Sequence, residues 1–166
     1  HPGKKLLFMG QEFGQFIEWN YKKGLDWLLL DFDRHRQLKE YVKQLNHFYK
    51  ENPCLWEIDY SWEGFSWISS DDSNNSVIAF RRMDEKGKEI IAVCNFTNVE
   101  RENYCIGVPS KGSYEIVFNS DSKEFGGEDK GNKGKIKTKA VPMHNLENSI
   151  SLDLPPMSTI YLKKTR

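Results

Sequence analysis

The segment Lys4–Trp19, KKLLFMGQEFGQFIEW, holds the residues best suited to chemistry on a polar ligand. Leu6-Leu7-Phe8-Met9 run into Gly10, and Gln11, Glu12, Gln15, Glu18 and Trp19 follow. Amides and carboxylates hydrogen-bond hydroxyls, and an indole adds a broad apolar face. An apolar strand that ends at a glycine and opens into polar and aromatic residues is how a buried parallel strand delivers side chains to a site. In a (β/α)8 barrel, ligand-binding groups sit on the loops after such strands. One strand is not a barrel, so the segment reads as the end of an assembly that begins upstream. The chain opens on His1 without an initiator Met, which agrees with a processed protein or a piece of a longer one.

The elements that would position these groups change character at Pro53. Between Arg34 and Lys50 the apolar residues Leu38, Tyr41, Val42, Leu45, Phe48 and Tyr49 fall on one helical face. Asp31 and Asp33 are N-cap candidates, and Asn52-Pro53 ends the run. If Leu6–Met9 is the last strand of a barrel, this is the helix after it. Beyond Pro53 the period becomes two. Phe65–Ile68, Ser76–Arg82, Glu89–Phe96, Tyr104–Val108, Ser113–Phe118, Ile136–Lys139, Ser149–Leu154 and Ser158–Leu162 read as strands separated by turn formers. The spacing predicts an antiparallel β-sandwich. Glu124–Lys135, rich in glycine and charge, reads as a long mobile polar loop. The expected units are 1–52, the end of a barrel, and 53–166, an all-β domain, with Cys54–Ser61 as the crossover.

Composition excludes several functions. The 166 residues carry 24 Lys plus Arg against 24 Asp plus Glu, so no net field draws in nucleic acid or an anionic membrane. No apolar run approaches the ~18 residues of a membrane span, and no signal peptide is visible. Cys54, Cys94 and Cys105 lack metal-like spacing and read as reduced thiols of an intracellular protein. His35 and His47 read as solvated helix residues, His144 as a loop residue and His1 as terminal. No two share a metal-like spacing with carboxylates, so neither metal nor cofactor is expected. Asp71-Asp72 and Asp84-Glu85 read as turn chemistry rather than a calcium site. Trp67 alternates with Phe65, which predicts a shared sheet face in the core.

The order of motifs resembles a known family. MGQEFGQ, the EW pair Glu18-Trp19 and LDW at Leu25–Trp27 precede an amphipathic helix; GFSWI, VCNFT at Val93–Thr97 and LPPMSTIYL at Leu154–Leu162 follow. Nearly the whole chain is similar to the C-terminal portion of the 1,4-α-glucan (glycogen) branching enzymes of the α-amylase superfamily. The resemblance implies a cytoplasmic protein of glycogen synthesis. It implies transfer of an α-1,4-glucan segment to a C6 hydroxyl by a retaining mechanism of two carboxyl groups. The family's catalytic carboxylates lie on earlier barrel strands, so this chain is expected to be non-catalytic and no catalytic residue is assigned. The implied partners are α-glucan and the upstream barrel. The alternatives are the matching part of a related superfamily hydrolase or transferase, and a stand-alone glucan-binding β module, against which the barrel-like Leu6–Trp19 argues.

Within that resemblance each candidate has two readings. Glu12 is a wall of the substrate site or a structural carboxylate paired with a barrel cation. Trp19 and Trp27 stack on pyranose faces or pin their loop. Asp26 braces the LDW turn, or touches substrate. Trp56 and Trp62, beside the crossover, pack the domains or offer a surface sugar site.

Overall fold

The structure, a computed structural model, describes residues 3–165; His1 lies outside them. Eight strands follow one helix: β1 Phe65–Asp72, β2 Val77–Met83, β3 Glu89–Asn95, β4 Arg101–Val108, β5 Ser113–Asn119, β6 Ile136–Lys137, β7 Asn148–Leu154 and β8 Ser158–Thr165. They form a six-stranded antiparallel sheet, β1-β2-β3-β8-β5-β6, and a two-stranded one, β4-β7. Alternation puts Val77, Ala79, Ile91, Val93, Ile160 and Leu162 of the large sheet against Ile106, Val108, Ile150, Leu152 and Leu154 of the small one, and this is the core.

The other face of the large sheet is covered by helix α1, Asp33–Glu51. Phe48 lies 5.2 Å from Phe118 and 5.4 Å from Tyr161, and Tyr41 lies 5.9 Å from Phe118, ring centre to ring centre. That second layer explains why β3 is buried on both faces, with Ile90 joining Cys54 and Leu55 under the helix. The N-cap is Phe32, not Asp31 or Asp33. The Arg36 guanidinium ties down the lead-in instead, donating to the carbonyls of Leu30 at 3.0 Å and Asp31 at 2.8 Å and pairing with the Asp33 carboxylate. At the far end Asn52 Nδ2 donates to the Phe48 carbonyl at 2.6 Å, and Lys163 of β8 donates to Asn52 Oδ1 at 2.7 Å. The helix end is thereby stitched to the sheet.

Three expectations change. Leu6–Met9 is not a strand: no neighbouring strand pairs with it among the described residues, and Leu6 is 82% exposed. Glu124–Lys135 is irregular but tied down, since Asp121 accepts from the amides of Glu128 and Lys130, Asn119 donates to the Lys130 carbonyl, and Arg34 of α1 donates to the Gly126 carbonyl. Trp67 shares a face with Phe65 yet is 50% exposed against 5% for Phe65. The register of β1 on β2 slips between Trp67 and Ser69, and β1 is an edge strand. Trp67 pairs with Phe80 ahead of that slip, on the sheet face away from the core of Ile68, Val77 and Ala79, and its place on the edge strand leaves it exposed; the bulge that follows buries both Ile68 and Ser69.

Candidate functional site

The N-terminal candidates are held by a 3₁₀ turn, Gln11–Phe13, between two left-handed glycines, Gly10 and Gly14. Phe13 is fully buried and anchors the turn against Trp27, 5.2 Å away. His35 is not solvated as its helical position suggested. Its Nδ1 hydrogen-bonds the Phe13 carbonyl at 2.7 Å and its ring meets Phe16 edge-on at 5.1 Å. The two glutamines brace the backbone: Gln11 Oε1 accepts from the Phe8 amide at 2.8 Å, and Gln15 Oε1 accepts from the Asp26 amide at 3.0 Å. Asp26 is the N-cap of the next 3₁₀ turn, Trp27–Asp31, but its side chain makes no capping bond.

Glu12 lines a hollow of ≈ 370 Å³ over α1 with Lys39, Lys43, His47 and Lys50. Trp19 packs edge-on against Phe8 at 5.5 Å. Trp19 does not line the hollow that holds Glu12, so the structure does not bring the two together there. The segment presents apolar side chains outward: Leu6, Leu7, Phe16, Ile17, Trp27 and Leu28 are all exposed. So many large apolar side chains exposed on one segment are a sign of an interaction surface.

A second aromatic surface lies at the β1 edge. Phe65 and Phe80 stack at 5.5 Å, and Trp67 stands perpendicular to Phe65 at 5.0 Å and steeply inclined to Phe80 at 5.9 Å. Trp62, 72% exposed, meets Phe65 at 6.1 Å. Two exposed indoles thus flank a fixed pair of phenylalanines. Trp56 is different: it is half-buried, packs with Cys54, Leu55 and Ile90, and donates its Nε1–H to the Lys50 carbonyl at 3.3 Å.

The densest electrostatics lie between these surfaces. The Asp59 side chain is 1% exposed and meets three cations, Lys5 at 2.5 Å, Arg82 at 2.9 Å and Lys4 at 3.3 Å. Tyr49 OH donates to its other oxygen at 3.5 Å. Burial pushes the carboxyl up, but Lys5, Arg82 and Lys4 together outweigh it and hold it below the usual carboxylate value. Elsewhere burial pushes the Cys54 thiol up to about 11 and raises Cys94, so neither is poised as a nucleophile. Among the described residues no three His, Cys, Asp or Glu side chains are grouped to hold a metal ion.

Sequence reasoning missed Trp67, because a shared strand face does not tell whether another layer covers it at the sheet edge, and Asp59, whose lysine partners lie more than 50 residues away in sequence. The acidic–aromatic run Glu57-Ile58-Asp59-Tyr60 after a helix was the one available hint.

Comparison with known proteins follows the strands. Residues 67–165 match the model of the alpha amylase C-terminal all-beta domain. The chain belongs to that family. The chain also resembles part of the pullulanase SAP of Group B Streptococcus, 19% identical over 86% of this chain and 18% of that one, with a TM-score of 0.51, a likeness of fold alone. The similarity of sequence extends past the all-β domain. The 1,4-alpha-glucan branching enzyme GlgB of Halothermothrix orenii is 53% identical, and that of Aquifex aeolicus 50% identical, each over 98% of this chain and 26% of the relative. The chain therefore spans about a quarter of the length of the curated relatives it matches.

Proposed function

We propose that this chain is the C-terminal quarter of a 1,4-α-glucan branching enzyme, a cytoplasmic enzyme of glycogen synthesis. Residues 1–52 end the catalytic barrel and residues 53–166 form its all-β companion. The carboxyl groups that cut and transfer the glucan belong to the preceding part of the enzyme. This part does two things. Its exposed face from Leu6 to Leu28 completes the barrel, which places Glu12, Trp19, Asp26 and Trp27 at the rim on the substrate side. Its β1 edge offers Trp62 and Trp67 as a shallow platform on which the C–H face of a glucose ring stacks. Trp56, committed to the core and to the Lys50 carbonyl, takes the packing role.

The observation that carries the reading is a 53% identical match that covers 98% of the chain, so that it includes the N-terminal segment and the helix as well as the β domain. A stand-alone β module needs no outward apolar face ahead of its helix; a barrel-closing segment does. The test is a chimera. The upstream three quarters of the Halothermothrix orenii relative is joined to this chain in place of its own end, and new α-1,6 ends are counted on amylose. Branching by the chimera, with none from this chain alone, is the expected result. A folded chimera that only hydrolyses amylose, or turnover by this chain alone, would overturn the reading.

A further inference from the structure

Neutralising Asp59 requires one cation, and the buried Arg82 on β2 supplies it, donating from Nη2 to Asp59 Oδ1 at 2.9 Å and to the Ile58 carbonyl at 3.1 Å. Two further cations come from the N-terminal segment. Lys5 Nζ donates to Asp59 Oδ1 at 2.5 Å, to the Leu55 carbonyl at 3.1 Å and to the Gly3 carbonyl at 3.3 Å. An ammonium has three protons, and all three have acceptors here. The Gly3 amide donates to the Asp59 carbonyl, so the backbone is gripped as well. The Lys5 and Lys4 ammoniums also lie 5.7 Å from the ring centres of Tyr49 and Tyr60 respectively. Fixing two long side chains costs conformational entropy, and a buried carboxylate already paired does not call for it.

We propose that Asp59 is a positioning residue, and that Lys5 in its cradle is the latch by which the β domain fixes the segment ahead of Leu6–Met9. The segment has no strand partner among the described residues, yet it leaves the domain at a defined point with Leu6 and Leu7 over a groove of ≈ 890 Å³ that Leu45, Tyr49, Phe80 and Tyr161 also line. The latch sets where Gly10 and the Gln11–Phe13 turn begin. Its bearing on substrate rests on the branching-enzyme reading above; the latch itself does not.

The test is limited trypsin digestion of the 166-residue chain, with the cut after residue 5 followed by mass spectrometry. Rates are normalised to the same bond in a free peptide of residues 1–12. A lysine held by Asp59 cannot enter the protease's specificity pocket. Asp59→Asn should speed the cut at least about tenfold, the factor that one charge-assisted hydrogen bond sets. Lys5→Arg keeps the charge and the cleavage site but replaces a compact three-proton head with a planar fork. It should show the same acceleration with the near-ultraviolet circular dichroism of the sheet unchanged, which separates positioning from mere charge and from a failure to fold. Normalised rates that stay within about twofold of wild type for Lys5→Arg would overturn the latch while leaving the branching-enzyme reading intact.

Discussion

Replacing Phe118 by alanine tests whether α1 is part of the β domain's fold. Phe118 sits on β5 where four rings converge: Phe48 at 5.2 Å and Tyr41 at 5.9 Å from α1, Phe125 at 5.7 Å from the following 3₁₀ turn, and Tyr161 at 5.8 Å from β8. Truncating a fully buried phenylalanine costs about 3–5 kcal/mol. Phe118 is only half-buried, which reduces the transfer part, while each aromatic pair lost contributes about 0.5–1.5 kcal/mol and the four are not additive. The expected loss is about 2–3 kcal/mol, a large share of a stability on the order of 10 kcal/mol. With a urea slope of about 2 kcal/mol/M, the midpoint falls by roughly 1 M. Amides in the middle of α1 should accelerate in exchange at least as much as those of β3 and β8, which follow the global stability. A midpoint shift under about 0.3 M, or exchange that accelerates in β3 but not in α1, would refute the claim that α1 is held by this cluster.

Tyr104→Phe should destabilise the protein by about 1 kcal/mol at neutral pH, since its hydroxyl donates to Asp72 Oδ2 at 2.6 Å and the pair is partly exposed. That hydroxyl, with Asn75, holds the Asp72 carboxyl below its ordinary 3.8, so the contribution is present above that pH and lost as pH falls through the lowered value; urea melts of both proteins at pH 7 and near pH 2 should show the gap closing in acid, and a gap that stays constant would remove Asp72 from the account. Titrating maltoheptaose against amide shifts should give a Kd on the order of a millimolar, about 4 kcal/mol, weakened by Trp62→Ala or Trp67→Ala and unaffected by Trp56→Ala; binding indifferent to the first two would take the β1 edge out of the glucan reading. Gly64→Ala should cost about 2 kcal/mol or more in thermal melts, because an added Cβ would sit 2.1 Å from the Ile58 carbonyl oxygen beside the turn that carries Trp62; an unchanged melting temperature would show that the crossover relaxes freely.

The strands and the helix were legible because their signal is local. Val77-Ile78-Ala79 and Ile91-Ala92-Val93 have the right residues for a sheet whatever their partners, and Leu38 to Tyr49 repeat at helical spacing. The layer order was not legible. Nothing in Phe118 or Tyr161 states that their face of the sheet is covered by a helix rather than by water, and that cover is what turns a half-buried strand such as β3 into a fully buried one. Capping failed for a related reason: two aspartates flank the helix start, but Arg36 reaches back to the carbonyls of Leu30 and Asp31 and leaves Phe32 at the cap.

The candidate site divides along the same line. Motif and position selected Trp19, Trp27, Trp56 and Trp62, and neither separates an indole that packs from one that waits for a ligand. Trp56 and Trp62 stand six residues apart, yet the first donates to a helix carbonyl inside a core cluster and the second points into solvent. Trp67 shares the face expected for it but lies on an edge strand, and so is exposed. Gln11 and Gln15, which look like ligand amides, are spent on backbone amides of Phe8 and Asp26. What the segment Lys4–Trp19 gains from them is a shape fixed before any partner arrives: glycine turns at Gly10 and Gly14, a buried Phe13, and the Asp59 cluster behind Lys5. A rigid loop with outward apolar side chains loses little entropy on docking, which suits the barrel-closing role proposed for it.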